Sequence, residues 1–209
     1  DKADREEYIT AITQLNNDKA ELDEAKAALL SDMDNTLSEE EVLKLADDAL
    51  NINGALDEGV RQQGTGDCYL IATLITMNGS ATGQQLIHDA ISYNEKDHSY
   101  TVNFAGVGQS YTFNAQEIAA AEEKAHVKES NGVTGDGSGW YSEGDDDVLL
   151  IEMAFEKFRQ ECHDGRFENE NWPDFVTKTG KYDGTDSDVS PLQSGTMEQF
   201  LYVLTGHET

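Results

Sequence analysis

Cys68 closes a short segment, Gln62-Gln-Gly-Thr-Gly-Asp-Cys68, whose residue types fit a thiol nucleophile. Gly64 and Gly66 let the backbone turn tightly and approach a substrate. An apolar stretch follows, Tyr69-Leu-Ile-Ala-Thr-Leu-Ile-Thr-Met77. It predicts a helix that is apolar on nearly every face and therefore lies in the centre of a domain. Cys68 then falls in the first turn, where free N–H groups and the positive end of the helix dipole favour a thiolate. Six residues upstream, the Gln62 amide can pair with the Cys68 backbone N–H to hold the oxygen of a tetrahedral intermediate. The implied chemistry is nucleophilic attack on a carbonyl. A cysteine opening an apolar helix is also how a small core residue looks. The glycine-bearing loop and the glutamine set this one apart.

Several elements must position that segment. Upstream, Tyr8, Ile12, Leu15, Leu22, Ala25 and Leu29 recur at helical steps and predict a long helix over 4–31. A second helix is expected over 38–50, opened by Ser38 and Glu41 at capping-box spacing. Residues 51–59 read as a connector. Downstream, Leu86, Ile87, Ala90 and Ile91 mark another helix. Two strands, Ser99–Phe104 and Ser110–Phe113, alternate in polarity around a turn at Gly106–Gly108. Asn114 and Glu117 again have capping-box spacing. Residues 129–147 are a Gly-, Ser- and Asp-rich loop, and Asp145–Asp147 suit the positive end of the helix that follows. That helix carries Val148, Leu149, Ile151, Met153, Phe155 and Phe158. After a polar, irregular 163–193, a last helix runs from about Ser194 to Leu204, with Gly206 as its stop. The fold class is α+β.

The chain has 209 residues and a formal net charge of −28, from 42 acidic and 14 basic side chains. Such a surface repels phosphate backbones and anionic bilayers, so neither nucleic acid nor a membrane is an expected partner. It suits cations, high solubility or a basic partner. No run of about 18 apolar residues is present. The two cysteines, Cys68 and Cys162, form neither a disulfide framework nor a zinc pattern. Cys162 ends a helix beside His163; chain neighbours on a helix do not face each other, so Cys162 reads as structural.

The Cys68 segment resembles the calpains and bacterial calpain-like proteases, which carry Gln-Gly-x-x-Gly-Asp-Cys-Trp followed by small and apolar residues. This chain has Gln63 where Gly is usual and Tyr69 where Trp is usual. Further likeness lies in Tyr100-Thr-Val-Asn-Phe104 with Tyr111-Thr-Phe113, in Leu150-Ile-Glu-Met-Ala-Phe-Glu-Lys-Phe158, and in Gln193-Ser-Gly-Thr196 through Leu204-Thr-Gly206. The resemblance covers about residues 59–206. It implies a cysteine endopeptidase of papain-like fold, with Cys68 as nucleophile and Gln62 in the oxyanion hole. Residues 59–209 would be the α-rich subdomain, built on a central nucleophile helix with a small β-hairpin. Residues 1–58 would be a helical extension or pro-segment. In the family a His and an Asn follow the Leu-Thr-Gly element, within a β-rich subdomain. A C-terminal chain or segment is therefore expected to supply them, and the substrate is a protein or peptide. No cofactor is required. Calpains bind calcium through an Asp nine residues before the Cys; here that position is Gly59, beside Asp57 and Glu58.

Other features carry weaker chemistry. His88, His98, His126, His163 and His207 are the available imidazoles. His207 is best spaced from Cys68 but lies at the Leu-Thr-Gly element with nothing to orient it; the others read as solvated or helix-face histidines. Asp32-Met-Asp-Asn-Thr-Leu37 has the types of a haloacid-dehalogenase nucleophile motif but lacks the preceding strand. As an EF-hand loop the same stretch places Leu37 and Leu43 at the glycine and glutamate positions. Asp136, Glu143 and Asp145–Asp147, and separately Asp183, Asp186 and Asp188, have the hard oxygens of a calcium site. They read first as solvated loop acids. The rival to an enzyme is a non-catalytic binding or regulatory module that retains a protease scaffold.

Overall fold

The computed structural model describes residues 38–56, 60, 62, 65–125, 141–142, 144–180, 182, 184 and 190–207. The expected helix over 4–31, the motif at Asp32–Leu37, His126, Asp136, Glu143 and the acids at 183, 186 and 188 lie outside them. Among the described residues the chain is mixed α+β, with six helices and one three-stranded sheet. The order is α1 (Glu39–Asp47), α2 (Cys68–Asn78), α3 (Ala81–Ala90), β1 (Ile91–Asn94), β2 (Ser99–Phe104), β3 (Gln109–Asn114), α4 (Ala115–Ala125), α5 (Asp146–His163) and α6 (Met197–Thr205).

Helix starts follow the local sequence. Ser38 accepts from the Glu41 N–H at 3.3 Å while the Glu41 carboxylate accepts from the Ser38 N–H at 2.8 Å. Asn114 and Glu117 make the same reciprocal pair, both bonds at 2.9 Å. At α6 the cap is Thr196, so the helix begins three residues later than Ser194. Ser194 has φ 59, a left-handed value that a helix cannot include. Gly206 ends α6 with φ 76.

The sheet is antiparallel in the order β1-β2-β3, with Ile91 opposite Val102 and Val102 opposite Tyr111. β1 escapes a reading of the sequence because it is short, largely exposed and continuous with α3, so Ile91 looks like the last residue of that helix. Tyr100, Val102 and Phe104 of β2 turn inward. Phe155 of α5 is the hub of the core. Its ring lies 6.0 Å from Phe104, 5.9 Å from Phe158, 5.1 Å from Phe200 and 6.4 Å from Tyr69. The hairpin reaches α6 at Gly106, whose N–H donates to the Val203 carbonyl at 3.1 Å. A Cβ on Gly106 would stand 1.7 Å from the Tyr202 carbonyl oxygen, so only glycine fits there.

Helix α1 packs on α4 and is clasped to the sheet at its last residue. Asp47 accepts from the Tyr100 hydroxyl at 2.6 Å, from Tyr93, and pairs with His98 Nδ1 at 2.9 Å. His98 is thus a mostly buried partner with φ 48 in the β1–β2 turn, where the sequence suggested a solvated residue. Burial raises the Asp47 carboxyl, but the bonds from Tyr100, Tyr93 and His98 together outweigh it and hold the group below its ordinary value. A depressed carboxyl adds stability above its unfolded value, and that stability is lost as pH falls through the folded value. Tyr100→Phe should therefore cost about 1–2 kcal/mol in urea unfolding at neutral pH. The cost should shrink in acid, as pH falls through the lowered Asp47 value and the carboxyl becomes protonated and a poorer acceptor. An identical cost at both pH values would show that the hydroxyl does not act through the carboxylate.

Candidate active site

Cys68 is the first residue of α2 and is exposed. Its chain neighbours are not: Asp67, Tyr69, Leu70 and Ile71 are all buried. The helix therefore presents one side chain outward from an otherwise interior start. The exposed face continues with Ala72, Ile75 and Thr76, one or two turns on from Cys68. Ile75 is 55% exposed, an apolar residue left uncovered on the most apolar helix of the fold. The first N–H groups of α2 have no partner within the helix.

Gln62 lies in the segment before the helix and donates from its amide to the Thr65 carbonyl at 2.7 Å. That bond braces the turn, and an amide nitrogen has a second hydrogen to offer. The Gln62 amide also faces Asp67, where it favours the charged carboxylate. Asp67 is the N-cap of α2 yet makes no side-chain cap bond. It turns inward, 1% exposed, toward Glu152 of α5, and its Oδ1 has no hydrogen-bond donor. Glu152 is fully buried and accepts from the Ser142 N–H at 2.9 Å and the Ser142 hydroxyl at 2.8 Å. Burial, then the adjoining Asp67, push Glu152 well above the usual carboxylate range.

Arg159 of α5 binds the 190–195 segment. It is fully buried and donates to the Tyr69 hydroxyl at 2.8 Å, the Leu192 carbonyl at 3.2 Å and the Gln193 carbonyl at 3.1 Å. Tyr69 in turn donates to the Leu192 carbonyl at 2.9 Å. A tyrosine hydroxyl both accepts and donates, whereas an indole N–H donates only. Burial raises the Tyr69 phenol to about 12, with Arg159 opposing, so the hydroxyl stays protonated at neutral pH. Gly195 makes room: a Cβ there would lie 2.3 Å from both Arg159 Nη1 and Tyr69 Cζ. The segment then closes on the loop, with the Ser194 N–H donating to the Gly66 carbonyl at 3.3 Å.

Upstream, Asp147 is fully buried, and it accepts from the Asn53 and Gly54 N–H groups at 3.0 and 2.9 Å; Asp146 accepts from the Asn51 N–H at 2.7 Å. Asp145 caps α5 by accepting from the Val148 N–H at 3.0 Å. These three acids are structural anchors, not the solvated loop acids suggested by their surroundings in the sequence. Burial raises Asp147 to about 6, against the two backbone bonds that lower it.

Of the described histidines, His88 meets Asp89, His98 meets Asp47, and His163 meets Asp164 and stacks edge-on to Tyr182. His207 is exposed just beyond α6, its backbone N–H bonded to the Thr205 hydroxyl. None of them makes a hydrogen bond to Cys68. Cys162 is partly buried against the core, and burial pushes its thiol up to about 12. Among the described residues, no three or more His, Cys, Asp or Glu side chains converge on a metal position, and no helix is long and apolar enough to cross a membrane. Glu152 and Arg159 were missed in the sequence, although Glu152, Glu156 and Arg159 share one helical stripe through an apolar run. Set against protein families, characterised proteins and solved structures, the chain matches none.

Proposed function

We propose that this chain is the nucleophile-bearing part of a calpain-like, papain-fold cysteine endopeptidase. The observation that carries the reading is the outward presentation of Cys68 from a buried helix start. A cysteine kept for packing would be buried like Asp67, Tyr69 and Leu70 around it. The Cys68 thiolate attacks a peptide carbonyl carbon, forming the C–S bond and moving the π electrons to oxygen. The Cys68 N–H and the Gln62 amide, turned from Asp67, hold that oxyanion. Collapse breaks the C–N bond, and the leaving amine takes a proton from a histidinium. Water, deprotonated by the same imidazole, then releases the acyl group and returns the thiolate. The histidine and its orienting Asn come from a downstream chain or segment. Its packing would cover the Ala72, Ile75 and Thr76 face.

The rival, a non-catalytic module, draws support from one observation: no described histidine reaches Cys68. A peptidyl epoxysuccinate separates the two. With the downstream segment present, its reaction at Cys68 should saturate with probe concentration and exceed that of a non-peptidic epoxide by about a hundredfold or more. Equal, non-saturating rates for both reagents would favour the module.

A further inference from the structure

We propose that Glu152 is a positioning residue for Cys68, holding the Asp67 side chain away from the N-cap position of α2 by a proton shared between the two carboxyls. This rests on the reading of Cys68 as the nucleophile. Ser38, Ser80, Asp145 and Thr196 begin α1, α3, α5 and α6, and each has extended backbone and a side chain accepting from its own first turn. Aspartate is among the best residues for that task. Asp67 nevertheless has ψ 15 and makes no cap bond. Its carboxyl is drawn inward to a second carboxyl.

Two adjoining buried carboxylates cannot both be ionised, and a protonated one becomes a donor to the other. The surroundings decide which carries the proton. From the preceding loop, Gln62 favours charge on Asp67. From α2, the Tyr69 hydroxyl accepts from Arg159 at 2.8 Å. From the 141–142 segment, Ser142 donates two bonds to Glu152, and Tyr141 is bonded to Glu156. From α5 itself come Glu156, half-buried, and the buried Arg159. With Glu152 protonated and Asp67 charged, the pair carries a single negative charge. Loss of the proton leaves an excess negative charge in a site closed to water.

The consequence reaches the nucleophile. Freed from Glu152, Asp67 becomes an ordinary N-cap: its carboxylate accepts the first-turn N–H groups of α2 and lies beside the Cys68 sulfur. That places a negative charge beside the sulfur and disfavours the thiolate. While the proton is held, that charge stays turned away from the sulfur.

The test uses the full chain carrying Cys162→Ala, so that iodoacetamide reports Cys68 alone. Its alkylation rate is followed against pH, alongside thermal unfolding. The parent should rise with thiolate formation and then fall about two- to fivefold short of a single titration curve as pH rises through the pair's range. Glu152→Gln donates to Asp67 at every pH and cannot ionise, so it should follow the single curve. Asp67→Asn, which removes the capping charge, should do the same and covers the case in which Glu152→Gln fails to fold. The folded state binds the proton more tightly than the unfolded chain, so the parent's melting temperature should drop as pH rises through the pair's range. That of Glu152→Gln should drop less. A single titration curve in the parent, or an unchanged shortfall in both variants, overturns the proposal while leaving Cys68 as nucleophile. Failure of Cys68 to react in any variant overturns the nucleophile reading instead.

Discussion

On the proposed reading, Cys68→Ala should abolish peptide hydrolysis, on the order of a millionfold in kcat, because a nucleophile and its base act as one unit. Cys162→Ala should leave turnover within about twofold. The two thiols differ in what surrounds them. Cys68 stands exposed at a helix start that no side chain caps. Cys162 is packed against the core near the end of α5, and burial holds its thiol near 12, so almost none is thiolate at neutral pH. One equivalent of iodoacetamide should accordingly label Cys68 and spare Cys162, as read by mass spectrometry of the digested chain. Comparable loss of turnover from the two alanine variants would remove the assignment. Turnover by residues 1–209 alone, lost on His207→Ala, would show that the base lies within this chain.

Arg159→Met should destabilise the fold by about 3–5 kcal/mol, because it strands buried partners. The guanidinium is the common donor to Tyr69, Leu192 and Gln193. Without it the Leu192 carbonyl keeps only the Tyr69 hydroxyl, and the Gln193 carbonyl loses its Arg159 donor. At roughly 2–4 °C per kcal/mol for a chain of this size, the melting temperature should fall by about 10 °C. Arg159→Lys should recover less than half, since an ammonium cannot hold three acceptors in a planar fork. The loss should also loosen the Gly66–Ser194 contact, so protease nicking near residue 194 should quicken. A methionine variant as stable as the parent would mean that desolvation cancels these bonds and that packing alone holds the segment.

Much of the frame was legible in the sequence because its signals are local. The Ser38–Glu41 and Asn114–Glu117 spacings act within one turn, and Gly206 ends its helix by its own backbone freedom. Tyr100 and Phe104 alternate with Thr101 and Asn103, which is enough to place β2. What stayed hidden depends on partners far along the chain. Arg159 meets Tyr69 across 90 positions, and Asp147 meets Gly54 across 93. Nothing local distinguishes such side chains from solvated charges. The site was half legible for the same reason. Cys68 and Gln62 stand out by composition of one short loop, whereas Glu152 shows only as a charge inside Leu149-Leu-Ile-Glu-Met-Ala-Phe155, where every turn of the helix is apolar. His98 gave no signal, because its role is set by the turn between β1 and β2 and by an aspartate 51 positions upstream.

The fastening of residues 51–54 to the start of α5 has a mechanical side. Three backbone N–H groups, from Asn51, Asn53 and Gly54, are moored to Asp146 and Asp147, and a Cβ on Gly54 would strike the His88 ring at 2.8 Å. Tension applied upstream of Asn51 is therefore borne by the first turn of α5 before any of it arrives at Cys68. Swinging, trimming or tethering the chain ahead of this mooring leaves the reactive loop unloaded, while a break between Gly54 and Gly66 transmits straight to it.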